Sequence, residues 1–267
     1  MNGAGMVAVP DVRTVLEVVA ADAEVPLHVH PEWARDLPWL AQGTTGRGTA
    51  ADAFDLGLFG AVPAVRAMER WRRLRDGTGC RTAVHARQVH EDTVLRHEAL
   101  PAGVFIADDA DGHVTGEVGM VLTVSVADCV PVSMVDVERR AIALLHAGWR
   151  GTDAGILEAG LRALLAMTDG DTLGLRLHLG PAICGHCYEV GPEVHGALGL
   201  PVRERPAPID LRAVLAARAL DAGLDARHIT ASDHCTRCGD SPFFSHRGGD
   251  TGRQLAVLGV RERRAAP

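Results

Sequence analysis

Three apolar runs near the middle of the chain give its strongest structural signal. They cover residues 121–126, 130–137 and 141–145, and they are rich in Val, Leu and Ile. Continuous apolar runs of this length, separated by turn residues, predict buried strands. Asp128 and Cys129 lie between the first two runs, and His146 follows the third. The pattern therefore places Cys129 and His146 at the ends of core strands, where side chains can be held rigidly.

Outside these runs, the chain alternates between helical repeats and shorter strand patterns. Apolar spacing and boundary residues predict helices over residues 63–75, 151–167 and 210–222, with Asp210 as the N-cap of the last. The remaining predictions are an opening strand pair over 14–29, an ordered loop over 43–60, and strands over 82–90, 173–183, 228–232 and 255–260. No repeat or linker interrupts this order, so the sequence predicts a single α/β domain over residues 1–267.

Charge and composition remove several classes of function. The chain has 267 residues, a net charge of −7, and Arg but no Lys. Because nucleic-acid binding needs a basic surface, the negative charge argues against nucleic acid as a partner. The absence of Lys excludes Schiff-base chemistry and the lysine of a phosphate-binding P-loop.

The sequence carries no signal for export or membrane insertion. Its start lacks a basic leader followed by an apolar core, and no run approaches the roughly 20 apolar residues of a membrane span. We therefore expect a cytoplasmic protein with no membrane partner. In that compartment the six cysteines are expected to be thiols or metal ligands rather than disulfides.

His90, Cys129 and His146 form the first candidate site. Each lies at the end of a predicted strand beside small or turn-forming residues. Two imidazoles and a thiolate suit Zn²⁺, and three protein ligands leave a fourth position open for water. Spacing alone leaves a second interpretation open, in which a buried Cys and two ordinary His have no common ligand. For the other histidines, packing or surface roles are the expectation.

Several motifs resemble one family. They are RQVH at 87–90, ADCVPV at 127–132, HAGWRGT at 146–152, GPAI at 180–183, CYEVG at 187–191, FFSHR at 243–247 and TGRQ at 251–254. Together they resemble the multicopper polyphenol oxidase (laccase) family, whose members are also described as bacterial purine nucleoside phosphorylases and as peptidoglycan editing factors. The resemblance covers the chain from about residue 43 onward.

The resemblance implies a fold, a metal and a reaction. The fold is a layered α/β (α+β) sandwich of two mixed β-sheets covered by helices. One catalytic zinc would be held by His90, Cys129 and His146. The implied reactions are phosphorolysis of adenosine, inosine, guanosine and methylthioadenosine, and deamination of adenosine, with purine nucleoside and phosphate as partners. The oligomeric state is left open.

Further residues are candidates for proton transfer and substrate binding. Asp128 could carry the proton that deamination requires, or it could fix the turn and orient a ligand. Planar Arg side chains suit phosphate, so Arg150, Arg47 and Arg247 are candidates, each with a structural salt bridge as the alternative. Gln88 could orient the substrate or a ligand.

The chain departs from the family pattern at three positions. Asp55 stands where the family usually has Asn, and His246 and Gly248 stand where it has an aromatic residue and an arginine. If that second arginine binds phosphate in relatives, phosphorolysis would be weaker here.

Four other cysteines form a second cluster in sequence. Cys184 and Cys187 make one CxxC pair, and Cys235 and Cys238 make another. Two CxxC pairs are a usual structural zinc set, and they are a candidate second metal site. Separate buried thiols or a redox pair are the alternatives.

Three other functions compete with the zinc enzyme. The first is a Cys-His hydrolase or amidase of peptidoglycan precursor editing, with Cys129 as nucleophile and His146 as base. A Cys-His hydrolase mechanism does not need His90, whereas a three-ligand zinc site requires it. The second is a copper oxidase, for which the single HxH pair, His28 and His30, lies outside the matching region. The third is a non-enzymatic binding module.

Overall fold

Two seven-stranded β-sheets form the centre of the molecule in the part of the chain that the structure describes. The structure is a computed structural model, and it describes residues 12–21, 24–49, 52–58 and 62–262. The strands are β1 (Arg13–Val15), β2 (Val18–Val19), β3 (Leu27–Val29), β4 (Leu40–Thr45), β5 (Thr82–Ala86), β6 (Val94–Arg96), β7 (Gly103–Ala107), β8 (Gly112–Thr115), β9 (Met120–Val126), β10 (Val130–Asp136), β11 (Ala141–Ala147), β12 (Leu175–Leu179), β13 (Glu189–Val190), β14 (Ala207–Pro208), β15 (Ile229–Ser232) and β16 (Gln254–Val260). The helices are α1 (Pro31–Asp36), α2 (Ala64–Thr78), α3 (Trp149–Ala154), α4 (Ile156–Thr168), α5 (Pro192–Ala197) and α6 (Leu211–Asp221).

Both large sheets are mixed. The first has the order β1-β15-β12-β10-β11-β8-β6, and the second has the order β2-β3-β4-β16-β9-β5-β7. In the first sheet, β12 pairs with β15 in parallel and with β10 in antiparallel orientation. In the second sheet, β5 pairs in parallel with both β7 and β9, and β9 pairs antiparallel with β16. The strands β13 and β14 form a separate two-stranded ribbon.

The sheets pack face to face, and helices cover their outer faces. Ile142 and Leu144 of β11 pack with Leu122 and Val124 of β9 in the core between the sheets. On the other side of the first sheet, alternate residues of β11, including Leu145, face α4, while α6 covers β12 and β15. On the outer side of the second sheet, Val121 packs against Trp71 and Leu74 of α2. The layered α/β fold class expected from the sequence is confirmed.

This layering explains the continuous apolar runs. A strand that is covered on both faces needs apolar side chains at every position rather than at alternate ones. All seven residues of β11 are buried, and β9 and β10 each have one residue that is only partly buried. The three runs are therefore the strands at the centre of both sheets.

Several predicted boundaries are wrong in instructive ways. The helix predicted over 151–167 is two helices, α3 and α4, separated by Gly155 in the left-handed region at φ 94°. The strand predicted over 82–90 ends at Ala86, so Gln88 and His90 lie in the following loop. The loop predicted over 43–60 includes the end of β4, and residues 50–51 and 59–60 of it lie outside the described residues. The opening strands also divide, since β1 joins the first sheet while β2 and β3 pair in the second.

Among the described helices, none combines the length and the apolar character that crossing a bilayer requires.

Candidate functional site

The end of the sandwich where β5, β9 and β11 terminate carries the predicted site. The chain leaves β9 of the second sheet and enters β10 of the first sheet through residues 127–129, with Asp128 at φ 95°. His146 lies on β11 opposite Pro131 of the neighbouring strand β10. His90 follows β5 and has φ 65°. Strand ends from both sheets thus bring together residues that are far apart in sequence.

His90, Cys129 and His146 present their ligand atoms to one another. One ring nitrogen from each His and the Sγ of Cys129 all lie within 4.8 Å of one another. The two imidazole rings are 4.9 Å apart between centroids and meet edge to face at 81°. Zinc takes His nitrogen and Cys sulfur at about 2.0–2.3 Å, so three such atoms in this space fit one ion.

Gly148 has no side chain, and this leaves room for the side chains of Cys129 and His90. A Cβ at this position would lie 3.0 Å from the Sγ of Cys129 and 3.1 Å from the Cδ2 of His90. These contacts are tighter than side chains normally make, so a larger residue would displace the ligand atoms. This contact gives a physical reason for the glycine of the HAGWRG segment.

Asp111 orients two of the three candidate ligands. Its Oδ1 lies 2.8 Å from Nδ1 of His146, and its Oδ2 accepts hydrogen bonds from the backbone N–H of Val89 and Glu91 at 3.0 and 2.9 Å. Asp111 is fully buried. Because Nδ1 of His146 bonds to Asp111, its Nε2 is the nitrogen available to the site. The same carboxylate holds the backbone on both sides of His90.

Asp111 is the residue that the sequence interpretation missed. It lies in a turn-rich connection beside Asp108 and Asp109, and nothing in that segment separates the three carboxylates. Its role follows from contacts to residues that are 20 to 35 positions away in sequence. In the structure it lies directly before the buried strand β8, which the sequence analysis did not predict.

The electrostatics of the site favour an ionised Cys129. Burial alone would raise the pKa of the Cys129 thiol, but His146 and His90 lower it to about 6 through charge attraction and hydrogen bonds. Burial alone would lower the pKa of His146, but the Cys129 thiolate and the Asp111 carboxylate raise it to about 9. A thiolate is required both for a metal ligand and for a nucleophile, so this result is compatible with both chemistries.

Asp128 supports the turn that carries Cys129. Its Oδ1 accepts a hydrogen bond from the Thr236 hydroxyl at 2.6 Å, and its Oδ2 accepts one from the backbone N–H of Arg247 at 2.7 Å. Its backbone oxygen accepts from the N–H of Ile183 at 3.0 Å. Of the two interpretations of Asp128, the geometry favours the turn-fixing one over the proton carrier.

A cleft of about 640 Å³ opens beside the candidate ligands. This volume lies in the range of small-molecule sites, about 300–1,000 Å³. His90, Cys129 and His146 line it, together with Gln88 and His246. The amide of Gln88 exchanges two hydrogen bonds with the backbone of Ser125, at 2.7 and 2.8 Å. Gln88 therefore fixes the loop before His90 to strand β9.

The predicted phosphate-binding arginines do not line this cleft. Arg47 pairs with Asp250 at 2.9 Å, as its salt-bridge alternative anticipated. Arg150 stacks on Trp149 and Arg247 stacks on Tyr188. Among the described residues, the arginines that line the cleft are Arg87 and Arg253.

Among the described residues, the guanidinium of Arg253 forms no hydrogen bond or ion pair with a carboxylate, although its backbone N–H donates to Oδ1 of Asp55 at 2.9 Å. Its Nη1 donates to the backbone oxygens of Thr251 and Gly252 at 3.1 and 2.8 Å, whereas Arg87 forms an ion pair with Asp109. Arg253 belongs to the TGRQ segment that contributed to the family resemblance. The sequence interpretation did not select it, because that segment contains no spacing that distinguishes a binding residue.

The second cysteine cluster also converges. The sulfurs of Cys184, Cys187, Cys235 and Cys238 all lie within 4.8 Å of one another. These residues lie on the loops that follow β12 and β15.

Comparison with known proteins shows which family the chain belongs to. The model of the family described as multi-copper polyphenol oxidoreductase laccase matches residues 49–261. The chain belongs to this family, and the resemblance seen in the sequence is confirmed.

The chain is also similar to curated relatives and to a solved structure. Adenosine deaminase RL5, from an unknown prokaryotic organism, is 37% identical over 198 residues, which are 69% of this chain and 72% of that protein. A purine nucleoside phosphorylase of Xylella fastidiosa (strain 9a5c) is 35% identical over 257 residues, 85% of this chain and 96% of the relative. The crystal structure of YlmD from Geobacillus stearothermophilus has a TM-score of 0.81 at 27% identity and covers 92% of this chain and 100% of that one.

Proposed function

We propose that this protein is a zinc-dependent enzyme that cleaves purine nucleosides with phosphate and also deaminates adenosine. The observation that carries the proposal is the convergence of His90, Cys129 and His146 within 4.8 Å at the wall of the cleft. The names of the two relatives supply the reaction class, purine nucleoside phosphorolysis and adenosine deamination.

The three ligands and Asp111 would define the metal centre. Zinc held there would act as a Lewis acid with one position open toward the cleft. Asp111 keeps Nδ1 of His146 engaged at 2.8 Å and so fixes which nitrogen faces the metal. Gly148 keeps the space beside Cys129 and His90 free.

The cleft would bind nucleoside and phosphate with its own side chains. Arg253 and Arg87 provide positive charge beside the ligands, and guanidinium groups bind phosphate oxygens in bidentate fashion. His246 lines the same cleft, and His is the side chain that most often transfers protons in catalysis. His246 therefore takes the proton-carrying role for which Asp128 was the sequence candidate.

A Cys-His hydrolase is the second candidate, and one observation favours it. Asp111, His146 and Cys129 form a chain in which the carboxylate holds the imidazole and the imidazole meets the thiolate. This is the arrangement that activates a cysteine nucleophile. The position of His90 favours the metal enzyme. A Cys129–His146 dyad oriented by Asp111 needs no second imidazole at the Cys129 sulfur, whereas a three-ligand zinc site does.

The geometry gives less support to a copper oxidase. Among the described residues, neither group of converging metal-ligand side chains contains His28 or His30. His30 caps α1 through its ring nitrogen and stacks on Trp33, while His28 packs against Phe243. Both residues of the HxH pair thus have packing roles.

Metal content and nucleoside turnover, measured on the same samples, test the proposal. We expect adenosine to release its base only with phosphate and to yield inosine without it. In Cys129→Ala and His146→Ala, we expect both activities to fall at least 100-fold and about one zinc per chain to be lost. Cys80→Ala changes a buried cysteine outside the site and is the matched control. Full turnover by metal-free protein, abolished by thiol alkylation, would instead establish the Cys-His hydrolase.

The cleft arginine can be tested separately. Arg253→Ala should raise the KM for phosphate about tenfold or more and leave deamination without phosphate nearly unchanged, because an ion-paired phosphate contact is lost. The matched control is Arg66→Ala on the exposed face of α2. An unchanged KM for phosphate would remove Arg253 from the proposal without affecting the metal centre.

A further inference from the structure

The two CxxC pairs lie on neighbouring loops at one end of the first sheet. Cys184 and Cys187 follow β12, and Cys235 and Cys238 follow β15. Because β12 and β15 are adjacent and parallel, their following loops emerge side by side. A backbone bridge between Ala182 and Cys235 joins the two loops directly.

The four sulfurs occupy the space of one metal ion. All four lie within 4.8 Å of one another, and the sulfurs of Cys184 and Cys238 are 4.0 Å apart. Zinc binds thiolates at about 2.3 Å in a tetrahedron, which separates the sulfurs by about 3.8 Å. A disulfide would instead bring two of them to about 2.0 Å. The sulfur separations in this cluster are close to those of the zinc tetrahedron and much longer than a disulfide bond.

Backbone amides converge on one of these sulfurs. The N–H groups of Cys184, Arg237 and Cys238 point at Sγ of Cys235 at 3.3, 3.4 and 3.4 Å. A neutral thiol is only a weak acceptor, so three converging donors suit the thiolate form that a zinc ligand takes. Two hydrogen bonds also close the turn between Cys184 and Cys187, because the N–H groups of Cys187 and Tyr188 both donate to the backbone oxygen of Cys184.

We propose that Cys184, Cys187, Cys235 and Cys238 bind one structural Zn²⁺ ion that is separate from the centre formed by His90, Cys129 and His146. Four protein ligands close the coordination sphere, which is the property of a structural rather than a catalytic zinc.

The proposed ion would also support the turn beside the cleft. Each cysteine loop bonds to Asp128, the first through the N–H of Ile183 at 3.0 Å and the second through the hydroxyl of Thr236 at 2.6 Å. Asp128 precedes Cys129, so fixing the two loops to each other fixes the backbone that positions Cys129. The structural zinc therefore acts on the cleft through positioning and does not touch the substrate.

Zinc stoichiometry in paired variants tests the proposal on the full chain. We expect two zinc ions per wild-type chain by elemental mass spectrometry, one in the Cys184→Ser/Cys238→Ser double variant, and two in Cys80→Ala. His146→Ala should lose the other ion and keep this one. Because the two ligand sets are removed independently, failure of this proposal and failure of the proposed catalytic site give different results. Wild-type zinc content retained in the double variant would overturn the proposal.

Cobalt substitution reports on the ligands themselves. The thiolate-to-cobalt absorption of the fully loaded protein should fall about fivefold in the double variant, as five coordinating cysteines decrease to one. Cys238→His keeps a metal ligand at the exposed position and should retain two ions per chain even where the double variant is insoluble. A single zinc in wild type that is lost in His146→Ala, or the four cysteines recovered as disulfides in freshly purified protein, would contradict the proposal.

Discussion

At the scale of single residues, the candidate site depends on Asp111 as much as on its ligands. One buried carboxylate holds the imidazole of His146 and the backbone beside His90, and it does so with three hydrogen bonds of 2.8–3.0 Å. Outer partners of this kind orient metal ligands, and their loss typically lowers metal affinity 10- to 100-fold.

The first prediction concerns this carboxylate. Asp111→Asn should weaken zinc binding at the catalytic centre by about 10- to 100-fold, because the amide cannot match the charge-assisted bond to His146. Competition with a chromophoric zinc chelator measures the change. Asp109→Asn, two residues away and exposed in an ion pair with Arg87, should leave zinc affinity unchanged. Equal affinity in the two variants would contradict the orienting role.

The second prediction concerns Gly148. Gly148→Ala should displace Cys129 or His90, because the new Cβ would lie 3.0–3.1 Å from both side chains. Zinc affinity at this centre and nucleoside turnover should each fall by about tenfold or more. Gly116→Ala adds the same methyl group where nothing lies within 4 Å, and it should behave as wild type in both measurements.

The sequence was informative about ligands and uninformative about their supports. Cys129, His146 and His90 could be selected because each is a rare donor type at a strand end, and the family motifs reinforced the choice. Asp111 and Arg253 could not, since Asp and Arg are common and their positions become distinctive only through long-range contacts. The roles assigned to these residues stay predictions.

At the scale of elements, the continuous apolar runs located the central strands. The runs are reliable because strands covered on both faces admit few polar residues. Gly155 was not recognised as a break, since the apolar repeat continues through it from α3 into α4. Its φ of 94° is a backbone conformation that the neighbouring apolar pattern does not reveal.

The third prediction contrasts two glycines in helical segments. Gly155→Ala should destabilise the protein by about 1–2 kcal/mol, because an L side chain is strained at positive φ. Gly77→Ala lies inside α2 with nothing within 4 Å of the new Cβ, and it should stabilise the protein by about 0.5–1 kcal/mol. Urea denaturation measures both changes. A shift of the same sign in the two variants would contradict this account.

At the scale of the whole molecule, a buried network ties the N-terminal segment to the first sheet. Glu17 is only 4% exposed, and its carboxylate lies 2.7 Å from Nε2 of His178 and accepts a 2.7 Å hydrogen bond from the hydroxyl of Ser232. The sequence interpretation expected only packing or surface roles for His178 and found no match in the first 42 residues. The expectations of a single catalytic domain over residues 1–267 and of a cytoplasmic location stay predictions.

The last prediction follows from the pKa of Glu17. Burial alone would raise this pKa, but His178 and the Ser232 hydroxyl lower it below its ordinary value of 4.5. A carboxyl group whose folded-state pKa is depressed stabilises the fold above its unfolded-state pKa, and that contribution is lost as the pH falls through the folded-state value. Wild type should therefore lose part of its free energy of unfolding as the pH decreases below about 4.5.

Glu17→Gln isolates this contribution. At pH 7 the variant should be less stable than wild type by about 1.5–3 kcal/mol, the usual worth of a hydrogen bond to a charged group. The difference should shrink as the pH falls through the depressed pKa, because wild-type Glu17 then becomes neutral as well. Thermal unfolding over a pH series measures this convergence, with the exposed Glu98→Gln as control. A difference that stays constant with pH would show that the carboxylate charge does not hold the N-terminal segment to the sheet.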